Sequence, residues 1–246
     1  MFWGQNSFKA RHLALALLIG TTATAAAADI LVVRSTGPSA KMYPPGKSIP
    51  EAGRLALKAG DMLVVLDGRG TRTIRGPGNF AAGTAQSAGQ PMQTAAATPA
   101  RRARIGAVRG TGTNSPPRPA TLWQVDVSKS SNICLADRNN VALWRSDTSK
   151  PVALTIAREG GGSQTVNWPA GESTVNWPPS LAIADGAQYN LSWQGAAAPT
   201  RLKFKTLPKQ PAGLEDMASS LITNQCSAQL DLLIETVKLP DQAPAG

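Results

Sequence analysis

Residues 163–180 read SQTVNWPAGESTVNWPPS, and the string TVNWP occurs in it twice, nine residues apart. Two tryptophans in matched settings have two readings. Trp168 and Trp177 could form an aromatic platform for a sugar or other flat ligand, or they could line a core from the two halves of one hairpin. Register separates the readings, because cross-strand partners share a face. With Pro169-Ala170-Gly171-Glu172 as a four-residue loop, Trp168 lies opposite Ser173, Val166 opposite Val175 and Gln164 opposite Trp177. The preceding strand VALTIAR, joined through a five-residue loop over 159–163, then sets Ile156 against Val166 and Leu154 against Trp168. The result is one continuous apolar face of Val152, Leu154, Ile156, Val166, Trp168, Val175 and Trp177. An exposed ligand platform has no need of matching aliphatics on the next strand, so the pattern favours a core. Pro169 and Pro178 end their strands, where a ladder donor is no longer required.

Outward from this stretch, strand-like segments recur at intervals of roughly ten residues. Between residues 121 and 207 they are LWQVDV, NICLA, VALWR, VALTIAR, SQTVNW, STVNW, AQYNLSW and RLKFKTL. Several alternate cleanly: Trp123, Val125 and Val127 on one face, Tyr189, Leu191 and Trp193 on another, and Leu202 and Phe204 opposite Arg201, Lys203 and Lys205. Seven or eight short strands at this spacing predict an immunoglobulin-like β-sandwich over 121–207. After residue 208 the period lengthens. Leu214, Met217, Leu221 and Ile222, then Leu230, Leu233, Ile234 and Val237, recur at helical spacing. They predict a helical hairpin in the 208–246 tail, with Ser227 as the second N-cap.

Residues 29–80 predict a small β-domain with strands DILVVR, RLAL, DMLVVL and TRTIR. Asp67-Gly68-Arg69-Gly70 reads as a hairpin turn using the positive φ that Gly68 and Gly70 allow, and GPGNF reads as the end of the sheet. Residues 81–120 hold no acid, few large apolar groups and much Ala, Thr, Gly and Pro, the composition of a flexible linker. Within it Arg101, Arg102, Arg104 and Arg109 form a basic cluster, read either as a solvated linker or as a contact with an anionic envelope surface.

The first 28 residues are a targeting segment. Lys9 and Arg11 precede the apolar LALALLIG, and Ala26 and Ala28 form an Ala-x-Ala site before Asp29, the signature of a secretory signal peptide. The apolar stretch from Leu13 to Ala28 is 16 residues, short of the ~20 a spanning helix requires. No other long apolar run exists, so no transmembrane segment is expected after cleavage. Loss of the leader removes the only histidine, His12, and leaves 23 basic against 15 acidic residues. Without histidine, Ser-His-Asp, Cys-His and histidine-ligated metal chemistry are excluded. Asp61 and Asp67 stand at opposite ends of one strand, about 20 Å apart, which suits turns rather than a shared substrate. Export places Cys134 and Cys226 in an oxidising compartment, where one disulfide is the expectation.

The segment LALKAGDMLVVLDGRGTRTIRGPGNF, with ILVVRSTGPSA before it, resembles the FecR-like periplasmic domain through Gly60-Asp61, Asp67-Gly68 and the strands around them. The resemblance covers about 50 of 246 residues, and it implies a β-rich extracytoplasmic module used in envelope sensing or scaffolding, without catalysis. The expected protein is therefore an exported, periplasmic, non-catalytic binding, scaffold or adaptor module. Its expected partner is another envelope protein or a cell-wall polymer, with no nucleic acid and no cofactor. The alternative is a carboxylate-dependent hydrolase or transferase acting on envelope glycans.

Overall fold

The computed structural model describes residues 29–83 and 117–239. The fold is mainly β, with a sandwich and two C-terminal helices. The leader and the Arg101, Arg102, Arg104 and Arg109 cluster lie outside the described residues.

All eight segments expected between 121 and 207 are strands. They are β7 (Gln124–Asp126), β8 (Ser131–Leu135), β9 (Ala142–Trp144), β10 (Val152–Arg158), β11 (Ser163–Trp168), β12 (Thr174–Asn176), β13 (Gln188–Ser192) and β14 (Thr200–Thr206). Five form one sheet in the order β11-β10-β13-β14-β8, and three form the facing sheet, β12-β9-β7. Alternating residues of both sheets meet in one core that includes Val125, Leu143, Leu154, Ile156, Tyr189, Leu191, Leu202 and Phe204. Near the start of β13, the Tyr189 hydroxyl donates to the Ala182 carbonyl at 2.9 Å, seven residues upstream. This is the tyrosine-corner arrangement of immunoglobulin-like sandwiches. Leu191, two residues on, takes the place where disulfide-bearing members of that architecture carry a cysteine.

The repeated TVNWP is not a hairpin. Its halves enter opposite sheets: β11 pairs with β10, whereas β12 pairs with β9 through Thr174↔Trp144, Val175↔Leu143 and Asn176↔Ala142. Facing a common core does not require sharing a sheet, so the apolar pattern is satisfied by either arrangement. What commits the chain to the crossover is the capture of its backbone by β9 and the turn that follows. Arg145 N–H donates to the Ser173 carbonyl at 3.0 Å and Gly171 N–H to the Thr148 carbonyl at 2.8 Å.

The β10–β11 register also differs from expectation by two residues, with Val152↔Trp168, Leu154↔Val166 and Ile156↔Gln164. Gly160, Gly161 and Gly162 all have positive φ (90°, 125° and 86°). They permit a tighter turn, closed by Arg158 N–H to the Gly162 carbonyl at 2.9 Å. An even shift keeps every side chain on its expected face.

The N-terminal region contains β1 (Asp29–Thr36), β2 (Ser48–Pro50), β3 (Arg54–Leu57), β4 (Met62–Asp67), β5 (Gly70–Arg75) and β6 (Gly78–Ala81). A four-stranded sheet runs β2-β1-β4-β5, and β3 pairs with β6. GPGNF therefore contributes a strand instead of ending the sheet: Phe80 opposes Leu55 and packs on the buried Leu55, Leu57 and Tyr43 cluster. In the β4–β5 hairpin the positive φ belongs to Gly70 (149°), not Gly68. The carbonyl of Val237 occupies the space a Gly70 side chain would need.

The tail forms α1 (Leu214–Thr223) and α2 (Ser227–Thr236). The second N-cap is Cys226 rather than Ser227, and it makes no side-chain cap bond. Both helices bury their apolar faces in a cluster shared with two other regions. Met217, Leu221, Leu230, Leu233 and Ile234 pack with Leu31, Val33, Val64 and Leu66 of the N-terminal sheet and with Leu122, Cys134 and Leu207 beside the sandwich. Trp123 joins this cluster and not the face of Val125 and Val127.

Candidate pocket at one end of the sandwich

The expected disulfide is present: Cys134 on β8 is bonded to Cys226 at the start of α2, with Cα atoms 5.9 Å apart. The adjoining edge of β8 is closed by a side chain. Gln229 of α2 accepts from the Cys134 N–H at 2.7 Å and donates to the Cys134 carbonyl at 2.9 Å and the Leu122 carbonyl at 2.8 Å. A primary amide can play both parts of a strand's peptide group, and here it replaces the next strand.

Asp61 and Asp67 organise turns. Asp61 is buried and accepts from the backbone N–H groups of Ser39 and Lys58. Burial alone would raise its pKa, but the Ser39 and Lys58 hydrogen bonds outweigh it and hold the carboxyl below its ordinary value. Asp67 accepts from Arg69 N–H at 2.8 Å and Gly70 N–H at 3.2 Å inside the β4–β5 turn. The two carboxylates have separate backbone partners and do not converge on one site.

Both repeat tryptophans are core residues, 1% and 8% exposed for Trp168 and Trp177. Trp177 donates to the Leu181 carbonyl at 2.6 Å. It meets Tyr189 and Phe204 edge to face, with ring centroids at 5.0 and 5.1 Å, the favoured geometry for aromatic pairs. Trp168 differs. Its indole N–H is buried without a hydrogen-bond partner among the described residues, and it lies beneath the Arg145 guanidinium, 5.0 Å from the ring centroid.

Arg145 is itself buried, at 7% exposure. Nε donates to the Glu172 carbonyl at 3.2 Å, and the two terminal nitrogens donate to Lys150 at 2.9 Å and Pro169 at 2.7 Å. All three acceptors are neutral carbonyls, so no hydrogen-bonded carboxylate offsets the cation. A buried cation that no carboxylate bonds directly leaves a local positive field, offset in part by Asp147 in the same cavity. Beside it opens a cavity of about 610 Å³ lined by Arg145, Trp168, Lys150, Asp147, Ser128 and Trp193, among others. That volume is in the range of ligand sites. Asp147 is the one carboxylate in the lining. Its pKa is lowered, first by the side-chain and backbone hydrogen bonds from Ser149 and to a smaller degree by the charges of Arg145 and Lys150.

The wall is built by the turn after β9, the start of β10, the end of β11 and the turn after β13. Of the expected aromatic pair it includes Trp168 alone, and it adds Arg145 and Lys150, which the sequence did not mark, and Trp193, which the sequence marked only as one of a strand's alternating residues. VALWR ends in an arginine, but so do DILVVR, TRTIR and VALTIAR, so the sequence carried no signal that sets Arg145 apart. A larger depression of about 820 Å³ lies on the outer face of the five-stranded sheet, lined by Ser130, Glu159, Gln188, Asn190, Ala198, Pro199 and Arg201. It is open and has no aromatic side chain, so it offers less to hold a small ligand. Among the described residues no group of three His, Cys, Asp or Glu side chains is placed to hold a metal ion, and no helix is long and apolar enough to cross a membrane. No protein-family model, curated protein or solved structure matches the chain.

Proposed function

We propose that the chain is an exported, periplasmic, non-catalytic envelope module that binds an anionic cell-wall polymer or an acidic segment of an envelope protein. The contact site in this reading is the pocket beside Arg145. One observation carries it: a buried guanidinium stacked on Trp168 and bonded only to carbonyls, at the wall of a cavity flanked by Lys150 and Trp193. The positive potential suits a carboxylate or other anion, and the half-buried Trp193 indole suits the apolar face of a sugar. The leader-like first 28 residues and the resemblance of residues 29–80 to FecR-like domains support an envelope location. The basic cluster at Arg101, Arg102, Arg104 and Arg109 would add a second, less specific contact with the same anionic surface.

The reading is tested with residues 29–246 and soluble cell-wall polysaccharides of matched length, one acidic and one neutral, followed by tryptophan fluorescence. Binding is expected for the acidic polymer only and should weaken as salt rises. Replacing both Lys150 and Trp193 by alanine should weaken it about tenfold with the circular dichroism spectrum unchanged. Lys150 is exposed, whereas Trp193 packs against the sandwich core and its loss also lowers the melting temperature. Equal binding of the neutral polymer, or wild-type affinity in the double variant, would sink the proposal.

A further inference from the structure

Sheet edges expose unpaired backbone groups, and folded proteins cover or charge them. Most edges here are treated in that way. β8 is closed by Gln229. β5 receives residues 237–239, through Thr71 N–H to the Val237 carbonyl and Leu239 N–H to the Thr71 carbonyl, and carries Arg72 and Arg75 along the rest of its length. β2, β7 and β12 are three residues long, and β3 and β6 are four.

β11 is the exception. It is six residues long, SQTVNW, and holds no charged residue and no proline. Among the described residues its backbone pairs with β10 and nothing else. The direction of its free groups follows from the register. Arg158 N–H bonds the Gly162 carbonyl, so in the pairing that sets Ile156 against Gln164 the hydrogen-bonded positions of β11 are the even-numbered ones. The N–H and C=O groups of Ser163, Thr165 and Asn167 therefore point away from β10, along the open edge.

We propose that this edge joins the same edge of a second copy of the chain, antiparallel about a two-fold axis, making one continuous ten-stranded sheet. A two-fold perpendicular to the sheet preserves faces, so a residue can pair only with one of its own parity. The outward groups are odd-numbered, and the centred register puts Thr165 opposite its own symmetry mate and Ser163 opposite Asn167. Every pair in that register is uncharged, so the strand meets itself without repulsion. Threonine against threonine is a favourable cross-strand pair. The hydroxyls of Thr155 and Thr165 already lie 3.4 Å apart on the sheet's outer face. The axis extends that pair into a four-threonine ladder. On the inner side Val166 meets Gln164 at the rim of the core.

The experiment is sedimentation of residues 29–246 over a range of concentrations, with three variants. Wild type is expected to show a monomer–dimer equilibrium. Thr165→Lys sets two like charges side by side on the axis and should raise the dimer dissociation constant at least about tenfold, with an unchanged circular dichroism spectrum showing that the fold survives. Thr165→Cys should form a covalent dimer on oxidation, since a hydrogen-bonded pair sets Cα atoms about 5.5 Å apart, inside disulfide range. Thr155→Cys, one strand inward, should not. A wild-type protein that remains monomeric throughout, a dimer that tolerates Thr165→Lys, or a Thr165→Cys variant that stays uncrosslinked would each overturn the proposal.

Discussion

Asp61 shows how one side chain can hold a fold's local geometry without taking part in chemistry. Its two oxygens receive the N–H groups of Ser39 and Lys58, and a side chain on Gly37 (φ 98°) would sit 2.6 Å from its Oδ1. The turn of residues 37–43 and the turn into β4 are thus tied to one carboxylate. Because its folded pKa lies below the ordinary 3.8, the ionised form is favoured by folding. This contribution is fully present above about pH 4 to 5, and it is lost as pH falls through the lowered folded value. Urea midpoints measured across acidic pH should fall more steeply for wild type than for Asp61→Asn. The variant should be the weaker at neutral pH, with the gap narrowing as acid protonates the wild-type carboxyl. Equal midpoints at neutral pH would mean that the carboxylate charge and its second acceptor oxygen contribute nothing. The turn role of Asp61 was legible from Ala-Gly-Asp before an apolar strand. Its burial was not, because that depends on a loop 22 residues away in sequence.

At the scale of elements, strand-like composition at roughly ten-residue spacing located all eight strands of the sandwich, and several also alternate, since the period of two follows from burying one face. Partner choice was harder. Val175 and Trp177 face the same core whether β12 sits beside β11 or across from it, and only the loop contacts of Arg145 and Thr148 decide between these. Gln229 was equally hidden: a polar residue in a helix with mixed periodicity gives no sign that it finishes a sheet. Replacing Gln229 by leucine keeps the volume but leaves the buried Cys134 N–H and the Cys134 and Leu122 carbonyls without that partner. The expected loss is about 1–3 kcal/mol, measured by chemical denaturation with the disulfide intact. A change below about 0.5 kcal/mol would show that the edge is satisfied by solvent. The tyrosine corner did have a sequence signal, Asp185-Gly186 four residues before Tyr189, with Asp185 accepting from Thr206 N–H at 2.6 Å.

For the whole molecule, the two β regions are joined through the tail. Arg34 of β1 pairs with Asp231 of α2, the Thr71 hydroxyl donates to the Ile234 carbonyl at 2.8 Å, and the disulfide fixes the same helix to β8. The candidate pocket was illegible at this scale because its wall comes from turns that meet only after the sandwich closes. A specific protease site inserted between residues 84 and 116 makes the linkage testable. After cleavage, the fragment beginning at residue 29 should co-elute with the remainder and melt with it in one transition. Separation of the fragments would show that the shared cluster around Leu31, Val64, Met217 and Leu233 is too weak to hold them.

The pairing of Thr71 with residues 237–239 bears on how the N-terminal sheet reaches its final form. The N-terminal sheet is finished by residues more than 160 positions further along the chain. Before they pair, β5 has a bare edge, and β1 and β4 present apolar side chains with no helix to cover them. Contacts spanning more than 160 positions close slowly, because the loop entropy is met before the contacts form. Until those distant residues are in place, the N-terminal region is an unfinished half of a core.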